Sequence, residues 1–182
     1  MADLEKTKVP APAPLDWEYA PAPESRDIVR FQERYGLFVG GEQVEPLSGE
    51  WYSTIEPANE EHLAEIAQAR EEDIDLAVGS ARDAFESSWS KLPGSERAKY
   101  IFRIARILLE RSREFAVAES LNSGKPIRES RDVDVPIAAA HFFYYAGWAD
   151  KLEYAFPNRR PQPLGVAGQI IPWNFPLLML SW

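Results

Sequence analysis

A change in the spacing of the apolar residues constrains the fold of this sequence more than any other feature. Between residues 35 and 67 the apolar residues form short runs bounded by glycine, proline or charged residues, which is typical of β-strands. From residue 71 onward they recur every three or four positions, which is typical of helices. Residues 166–171 form one more short apolar run, and an apolar helix start follows. Strands, then helices, then a strand that leads into a helix predict an α/β fold.

The predicted strands include one hairpin. The sequence LFVGGEQV places Gly40 and Gly41 between the apolar residues Leu37 and Val39 and a second short strand that ends at Val44, and a Gly-Gly pair is favoured in tight hairpin turns. A third strand is predicted in EWYSTI, before Pro57, and a fourth in HLAEIA. Residues 166–171 are predicted to form a buried strand, in which Gly168, with Gly165 just before the strand, lets another backbone approach closely.

Four helices are predicted between these strands. The first has an apolar face formed by Ile74, Val78, Ala81, Phe85 and Trp89. The second is predicted to begin with Ser95 as its N-cap, and the third to end at Gly124, because glycine adopts the left-handed conformation easily. In the fourth, Pro136 must either kink the helix or begin its second half. We expect the apolar faces of all four helices to pack in the core.

Charge and residue usage argue against several classes of function. The chain carries 20 basic and 29 acidic side chains, a net charge of −9, and an acidic surface repels nucleic acid. It has no cysteine, and His62 and His141 are far apart in sequence, so we expect no metal site. We find no signal peptide and no apolar run as long as a membrane span, so we expect no membrane partner and a cytoplasmic location.

The first 34 residues differ in composition from the rest of the chain. Five prolines between residues 10 and 23 disfavour both helices and strand ladders. We therefore predict a Pro/Ala-rich arm, largely disordered, and a lead-in helix within residues 1–34. The alternative is a docking strip in which Trp17 and Tyr19 contact a partner.

The strongest candidate for a functional residue is Asn174, which lies where the last predicted strand meets a helix. Ligands of open α/β sheets bind beyond the carboxyl ends of the strands. The Asn174 amide offers two N–H donors without a charge, which suits an oxyanion that forms only in a transition state. The alternative is that Asn174 caps the following helix, with Pro176 in the first turn. The sequence contains no glycine-rich nucleotide motif of the Rossmann or Walker type.

Several motifs, in this order, make residues 35–182 similar to the aldehyde dehydrogenase superfamily. They are LFVGGEQVEPLSG, EEDIDLAVGSARDAFESSW, ESLNSGKPIRES, YYAGWADK and PLGVAGQIIPWNFP. The resemblance implies the N-terminal part of that fold, with an incomplete Rossmann-like cofactor domain and the start of an oligomerisation arm. It assigns residues 35–150 to the cofactor domain and 151–164 to the arm. Residues 165–182 become the first strand and helix start of the nucleotide-binding core.

The resemblance also implies roles for the residues around Asn174. Asn174 itself matches the side chain that donates a hydrogen bond to the oxyanion. The wall that contacts the nicotinamide and its ribose in NAD or NADP is matched by Ile170, Ile171, Pro172 and Trp173. The aldehyde tunnel is matched by Phe175, Leu178, Met179 and Trp182. For Leu177 and Leu180 the alternative is an ordinary place in a core helix.

Members of this family oxidise an aldehyde to a carboxylic acid with NAD(P)+, through attack by a cysteine thiolate and hydrolysis of the thioester. Because this sequence has no cysteine, the resemblance implies the N-terminal portion of a longer enzyme, inactive alone. The implied partners are an aldehyde and, in the complete enzyme, further copies in a dimer or tetramer. The alternatives are a non-catalytic protein that pairs with full-length subunits and a non-functional truncated product.

Overall fold

The computed structural model describes residues 24–159 and 161–182, in which two small sheets precede a group of helices. Of the residues 1–34 for which a lead-in helix is predicted, the described part, 24–34, contains a 3-10 turn, Arg26–Ile28. Trp17 and Tyr19, the residues of the alternative docking strip, lie outside the described residues, as does the Pro/Ala-rich arm up to residue 23.

Five strands form the two sheets. They are β1 (Arg34–Tyr35), β2 (Leu37–Val39), β3 (Glu42–Val44), β4 (Trp51–Ile55) and β5 (His62–Ala67). In the larger sheet β5 lies in the centre, parallel to β1 and antiparallel to β4. The smaller sheet is the hairpin of β2 and β3, in which Leu37 lies opposite Val44. Gly40 and Gly41 form its turn with φ values of 64° and 91°, so the predicted hairpin is confirmed.

The helices follow the sheets along the chain. They are α1 (Glu71–Ser87), α2 (Gly94–Glu110), α3 (Ser112–Ser123), α4 (Ile127–Glu129), α5 (Val135–Ala155) and α6 (Pro176–Ser181). The predicted end of the third helix is confirmed, because Gly124 adopts a φ of 72° there. The predicted N-cap Ser95 is wrong. The cap of α2 is Pro93, whose carbonyl accepts a hydrogen bond from Arg97 N at 3.1 Å, and Ser95 lies inside the helix.

A π-helical segment, Ser130–Asp134, joins α4 to α5, and Pro136 lies in the first turn of α5. Proline lacks an N–H group, and its ring collides with the carbonyl four residues earlier in a regular α-helix. The wider π turn relieves that collision, so Pro136 begins the second half of this helical stretch. Helix α5 continues to Ala155, so it includes residues 151–155 of the segment that the resemblance assigns to the arm.

The core lies where α2 and α3 pack against α5. It consists of Leu108, Ala116, Val135, Ala138 and Ala139, with Phe115, Ile127, Phe142 and Leu177 packed around them. Alanines on α5 allow the helices to approach closely. Further along α2 and α5, the rings of Phe102 and Phe143 meet edge to face with their centroids 4.8 Å apart.

The apolar face predicted for the first helix is only partly packed within the described residues. Ile74 of α1 is 55% exposed and Val78 is 37% exposed, and Asp73 is the buried residue of this helix. The periodicity correctly predicts an amphipathic helix. It does not predict how much of the apolar face another element covers: Phe85 is half-buried, and the Trp89 ring lies 6.0 Å from that of Tyr100 in α2.

The buried strand predicted at residues 166–171 is wrong. These residues have irregular backbone, and the Ile170 side chain is fully exposed. A strand is stable only when its N–H and C=O groups pair with a neighbouring strand, and none of the described strands lies beside this segment. None of the described helices is long and apolar enough to cross a membrane.

Candidate functional site

Asn174 lies in the turn that precedes α6. The helix begins at Pro176, its N-cap is Phe175, and no side chain caps it. Within the described residues the Asn174 side chain makes no hydrogen bond, and it is exposed. The alternative in which Asn174 caps the following helix is therefore wrong. Both N–H donors of its amide are free to bind another group.

Next to this turn is a cleft of about 660 Å³. One wall contains three of the four residues matched to the cofactor wall, Ile171, Pro172 and Trp173. The facing wall belongs to β5 and α3 and includes Ile66 and Ala118. Because most of these side chains are apolar, the cleft suits a flat, uncharged ring better than a charged group.

The remaining residues matched to the site lie outside this cleft. Ile170, the fourth residue of the cofactor wall, points to solvent. The four residues matched to the aldehyde tunnel do not line the cleft, although Phe175, Leu178 and Met179 are half-buried. The fourth, Trp182, is exposed and stacks on His141 with the ring centroids 5.9 Å apart.

Leu177 and Leu180 of α6, for which the alternative was an ordinary place in a core helix, differ in their surroundings. Leu177 packs against the core cluster and also lines the cleft. Leu180 is half-exposed and lines the cleft. Helix α6 is therefore held to the core on one side and borders the cleft on the other.

A buried charge cluster lies behind the turn, and the sequence analysis missed it. Lys125, between α3 and α4, forms an ion pair with Asp134 of the π segment and has its Nζ 3.5 Å from Glu119 Oε1 of α3. The Asp134 side chain is fully buried, and the Glu119 side chain nearly so. Across the described ranges, no group of three or more histidine and acidic side chains is arranged to hold a metal ion.

One carboxyl group of the cluster, that of Glu119, does not titrate normally. The pKa of Glu119 is raised to about 7, first by burial and second by the nearby Asp134 carboxyl, against the opposing effect of Lys125. Asp134 accepts a hydrogen bond from Lys125 through Oδ2, while its buried Oδ1 has no hydrogen-bond partner among the described atoms. Protonation of Glu119 near neutral pH reduces the repulsion between the two groups.

The cluster contacts the turn of Asn174 through an aromatic ring. The Nζ atom of Lys125 lies 3.9 Å from the centroid of the Phe175 ring, a cation–π contact. Phe175 directly follows Asn174, so a residue far away in sequence reaches the candidate site through one side chain. The spacing of these residues in the sequence gives no signal for this contact.

Comparison with known proteins gives a consistent assignment. The model of the family described as "Aldehyde dehydrogenase family" matches residues 44–182. A mitochondrial benzaldehyde dehydrogenase from Antirrhinum majus is 41% identical over 155 residues, which are 80% of this chain and 29% of that protein.

Two solved structures agree with this match. The NAD-dependent aldehyde dehydrogenase from Sinorhizobium meliloti superposes with a TM-score of 0.77 at 32% identity, over 90% of this chain and 34% of that one. The NAD+ complex of the aldehyde dehydrogenase from Bacillus cereus gives a TM-score of 0.71 at 37% identity, over 82% and 32%.

This chain spans about a third of the length of the proteins that it matches. The match nevertheless covers most of the chain itself, in sequence and in fold. The predicted α/β class and the resemblance stated from the motifs are both confirmed. The chain belongs to the aldehyde dehydrogenase family.

Proposed function

We propose that this chain supplies one part of the active site of an enzyme that oxidises an aldehyde to a carboxylic acid with NAD(P)+. The observation that carries this proposal is the free amide of Asn174, exposed beside an apolar cleft and not used by its own helix. A donor held at such a position stabilises negative charge that develops on a carbonyl oxygen. The family membership of the chain favours an aldehyde as the source of that oxygen.

In this proposal Asn174 donates a hydrogen bond to the oxyanion that forms when a thiolate attacks the aldehyde. The amide is neutral, so it binds the oxyanion more strongly than the uncharged aldehyde, which is what catalysis requires. The 182 residues contain no cysteine, so the attacking sulfur belongs to residues other than these. The glutamate that activates the hydrolytic water is likewise assigned to residues other than these.

The cofactor is proposed to bind in the cleft, where it supplies the acceptor for the hydride of the aldehyde. Ile171, Pro172 and Trp173 fit this role because they present apolar surface to a flat ring. Ile170 is proposed to contact the cofactor from the preceding position. The two solved structures named above favour NAD over NADP.

The aldehyde is proposed to lie against Phe175, Leu178, Met179 and Trp182. These side chains would form the apolar wall that excludes water from the thioester before it is hydrolysed in a controlled step. We further propose a homo-oligomer as the complete form. The support for it is the aromatic surface of α5, on which Tyr144, Tyr145 and Trp148 are exposed, together with the arm proposed for residues 151–164.

The experiment that tests this function compares the enzyme that contains this chain with its Asn174→Ala variant. We expect the wild type to form NADH only when an aldehyde is present. Asn174→Ala should lower kcat by about 10²-fold or more, with the Kd for NAD+ nearly unchanged. Gln43→Ala, which removes an exposed amide from β3, is the control and should retain full activity. An unchanged kcat in Asn174→Ala would refute the assigned role.

A further inference from the structure

The backbone and the side chain of Phe175 are both held, and they are held by different parts of the molecule. Its carbonyl accepts a hydrogen bond from Met179 N at 2.9 Å, which begins α6. Its ring lies against the ammonium group of Lys125, with Nζ 3.9 Å from the ring centroid. Phe175 has φ −141° and ψ 56°, so it is the residue at which the chain changes from an extended turn to a helix.

Lys125 is itself held in one position. Its side chain is 13% exposed and is paired with Asp134 and close to Glu119. Its carbonyl accepts a hydrogen bond from Ser120 Oγ at 2.8 Å, which fixes the backbone of the loop. The ammonium group therefore presents a fixed positive charge to Phe175, not a mobile one, and ordering its flexible stem adds no cost when the ring binds.

We propose that Lys125 is a positioning residue for Asn174: its ammonium group, held by Asp134 and Glu119, binds the face of the Phe175 ring and thereby fixes the adjoining turn that carries the Asn174 amide. The inference rests on the proposed function, because that function gives the turn of Asn174 its catalytic purpose. The Asn174 amide has no partner of its own among the described residues, so its orientation depends on the residues beside it. Of these, Phe175 has a side chain fixed by a specific contact.

A cation–π contact differs from simple packing in what it requires of the side chain. Leucine at position 175 would fill a similar apolar space but would not offer a π face to the ammonium group. Tyrosine would keep the face. The pair Phe175→Leu and Phe175→Tyr therefore separates the proposed contact from mere burial, and neither variant changes the charges of the cluster.

The first test measures the contact and the order of the turn directly, without reference to activity. In the wild type we expect the ε-methylene protons of Lys125 to resonate upfield because they lie over an aromatic ring. Phe175→Leu should abolish this shift and lower the backbone order parameter of Asn174, while Phe175→Tyr should preserve both. An Asn174 order parameter that is the same in all three proteins would overturn the positioning role.

The second test measures catalysis in the enzyme that contains this chain. Phe175→Leu should lower kcat about tenfold, because a small misplacement of a catalytic group is costly, with the KM for NAD+ unchanged. Lys125→Met should lower kcat by a similar factor, and Lys125→Arg should restore most of it because arginine also binds aromatic faces. The double variant Lys125→Met/Phe175→Leu should be no slower than either single variant, since each breaks the same contact.

The two tests separate the failure of this inference from the failure of the proposed function. Effects on kcat that multiply in the double variant would show that Lys125 and Phe175 act independently, and would overturn the inference in an active enzyme. A wild type that forms no NADH with any aldehyde would refute the proposed function instead. Lys125→Met leaves Asp134 buried without a cation. For that reason Phe175→Leu, which leaves the ion cluster intact, is the deciding variant, and the deciding readout is the order parameter of Asn174, which does not depend on the proposed contact of Phe175 with the aldehyde.

Discussion

The buried carboxylate of Asp73 accepts a hydrogen bond from Leu47 N at 2.9 Å and so joins the start of α1 to the loop that follows β3. Its other oxygen accepts from Arg70 N at 2.8 Å, the residue that precedes the helix. These two backbone hydrogen bonds lower the pKa of Asp73. Asp73 is the buried residue of α1, and its carboxylate connects the helix to the sheet region.

Replacing Asp73 with alanine should therefore destabilise the protein through two unpaired backbone N–H groups. We expect a lower midpoint of urea denaturation than in the wild type, with unfolding monitored by circular dichroism. The lowered pKa means that the Asp73 contribution is present above the ordinary pKa of an aspartate and is lost as the pH falls through the folded value. Asp75→Ala, an exposed change in the same helix, is the control, and equal midpoints for the two variants would contradict this account.

Replacing two helical glycines with alanine is predicted to change the free energy of unfolding in opposite directions. A Cβ at Gly94 would overlap the backbone carbonyl oxygen of Ala149, where the start of α2 approaches α5. Gly94→Ala should cost about 1–3 kcal/mol in the free energy of unfolding, because backbone must move. Gly79 lies within α1 and has open space around it, so Gly79→Ala should stabilise by about 1 kcal/mol. Chemical denaturation of both variants checks the sign of each change.

The features that could be predicted from the sequence are those decided by neighbouring residues. The conformational preferences of one or two residues decide each of these features. Glycine freedom decides the turn at Gly40 and Gly41 and the helix end at Gly124, and the restricted backbone of proline decides the helix start at Pro136. The identity of a cap is less certain when candidates are close together, as the shift from Ser95 to Pro93 shows.

The features that could not be predicted depend on contacts between distant parts of the chain. Residues 166–171 have the composition of a buried strand, but composition does not supply the neighbouring strand that the backbone requires. The contact of Lys125 with Phe175 joins residues that share no helical or strand spacing. The exposure of Ile74 on α1 could not be predicted for the same reason. Periodicity shows which face of a helix is apolar but not which element covers that face.

The 182-residue chain by itself should show no aldehyde dehydrogenase activity. The physical reason is the absence of any cysteine, so no thiolate can form the covalent intermediate of the family mechanism. We expect no aldehyde-dependent rise in absorbance from NADH at any pH. Heat-treated chain provides the baseline, and turnover above that baseline would mean that the chain uses a different nucleophile from the rest of its family.

The raised pKa of Glu119 predicts how stability changes with pH. Glu119 titrates at about 7 in the folded protein, against an ordinary value of 4.5, because it is buried and lies near Asp134. Between these two values the folded state binds more protons than the unfolded state, so the free energy of unfolding falls as the pH rises. The contribution is complete below pH 4.5 and is lost as the pH passes about 7. For one proton the slope does not exceed about 1.4 kcal/mol per pH unit.

Glu119→Gln keeps the shape of the protonated side chain and removes its titration. We therefore expect this variant to lose the fall in stability between pH 5 and 8 and to exceed the wild type at the alkaline end, as measured by urea denaturation at about six pH values across that range. Glu114→Gln is the matched control on the same helix. The hydrogen bond from Arg111 lowers the pKa of Glu114, so its titration affects stability only at more acidic pH. If Glu119→Gln retains the slope of the wild type, the titrating group is not Glu119.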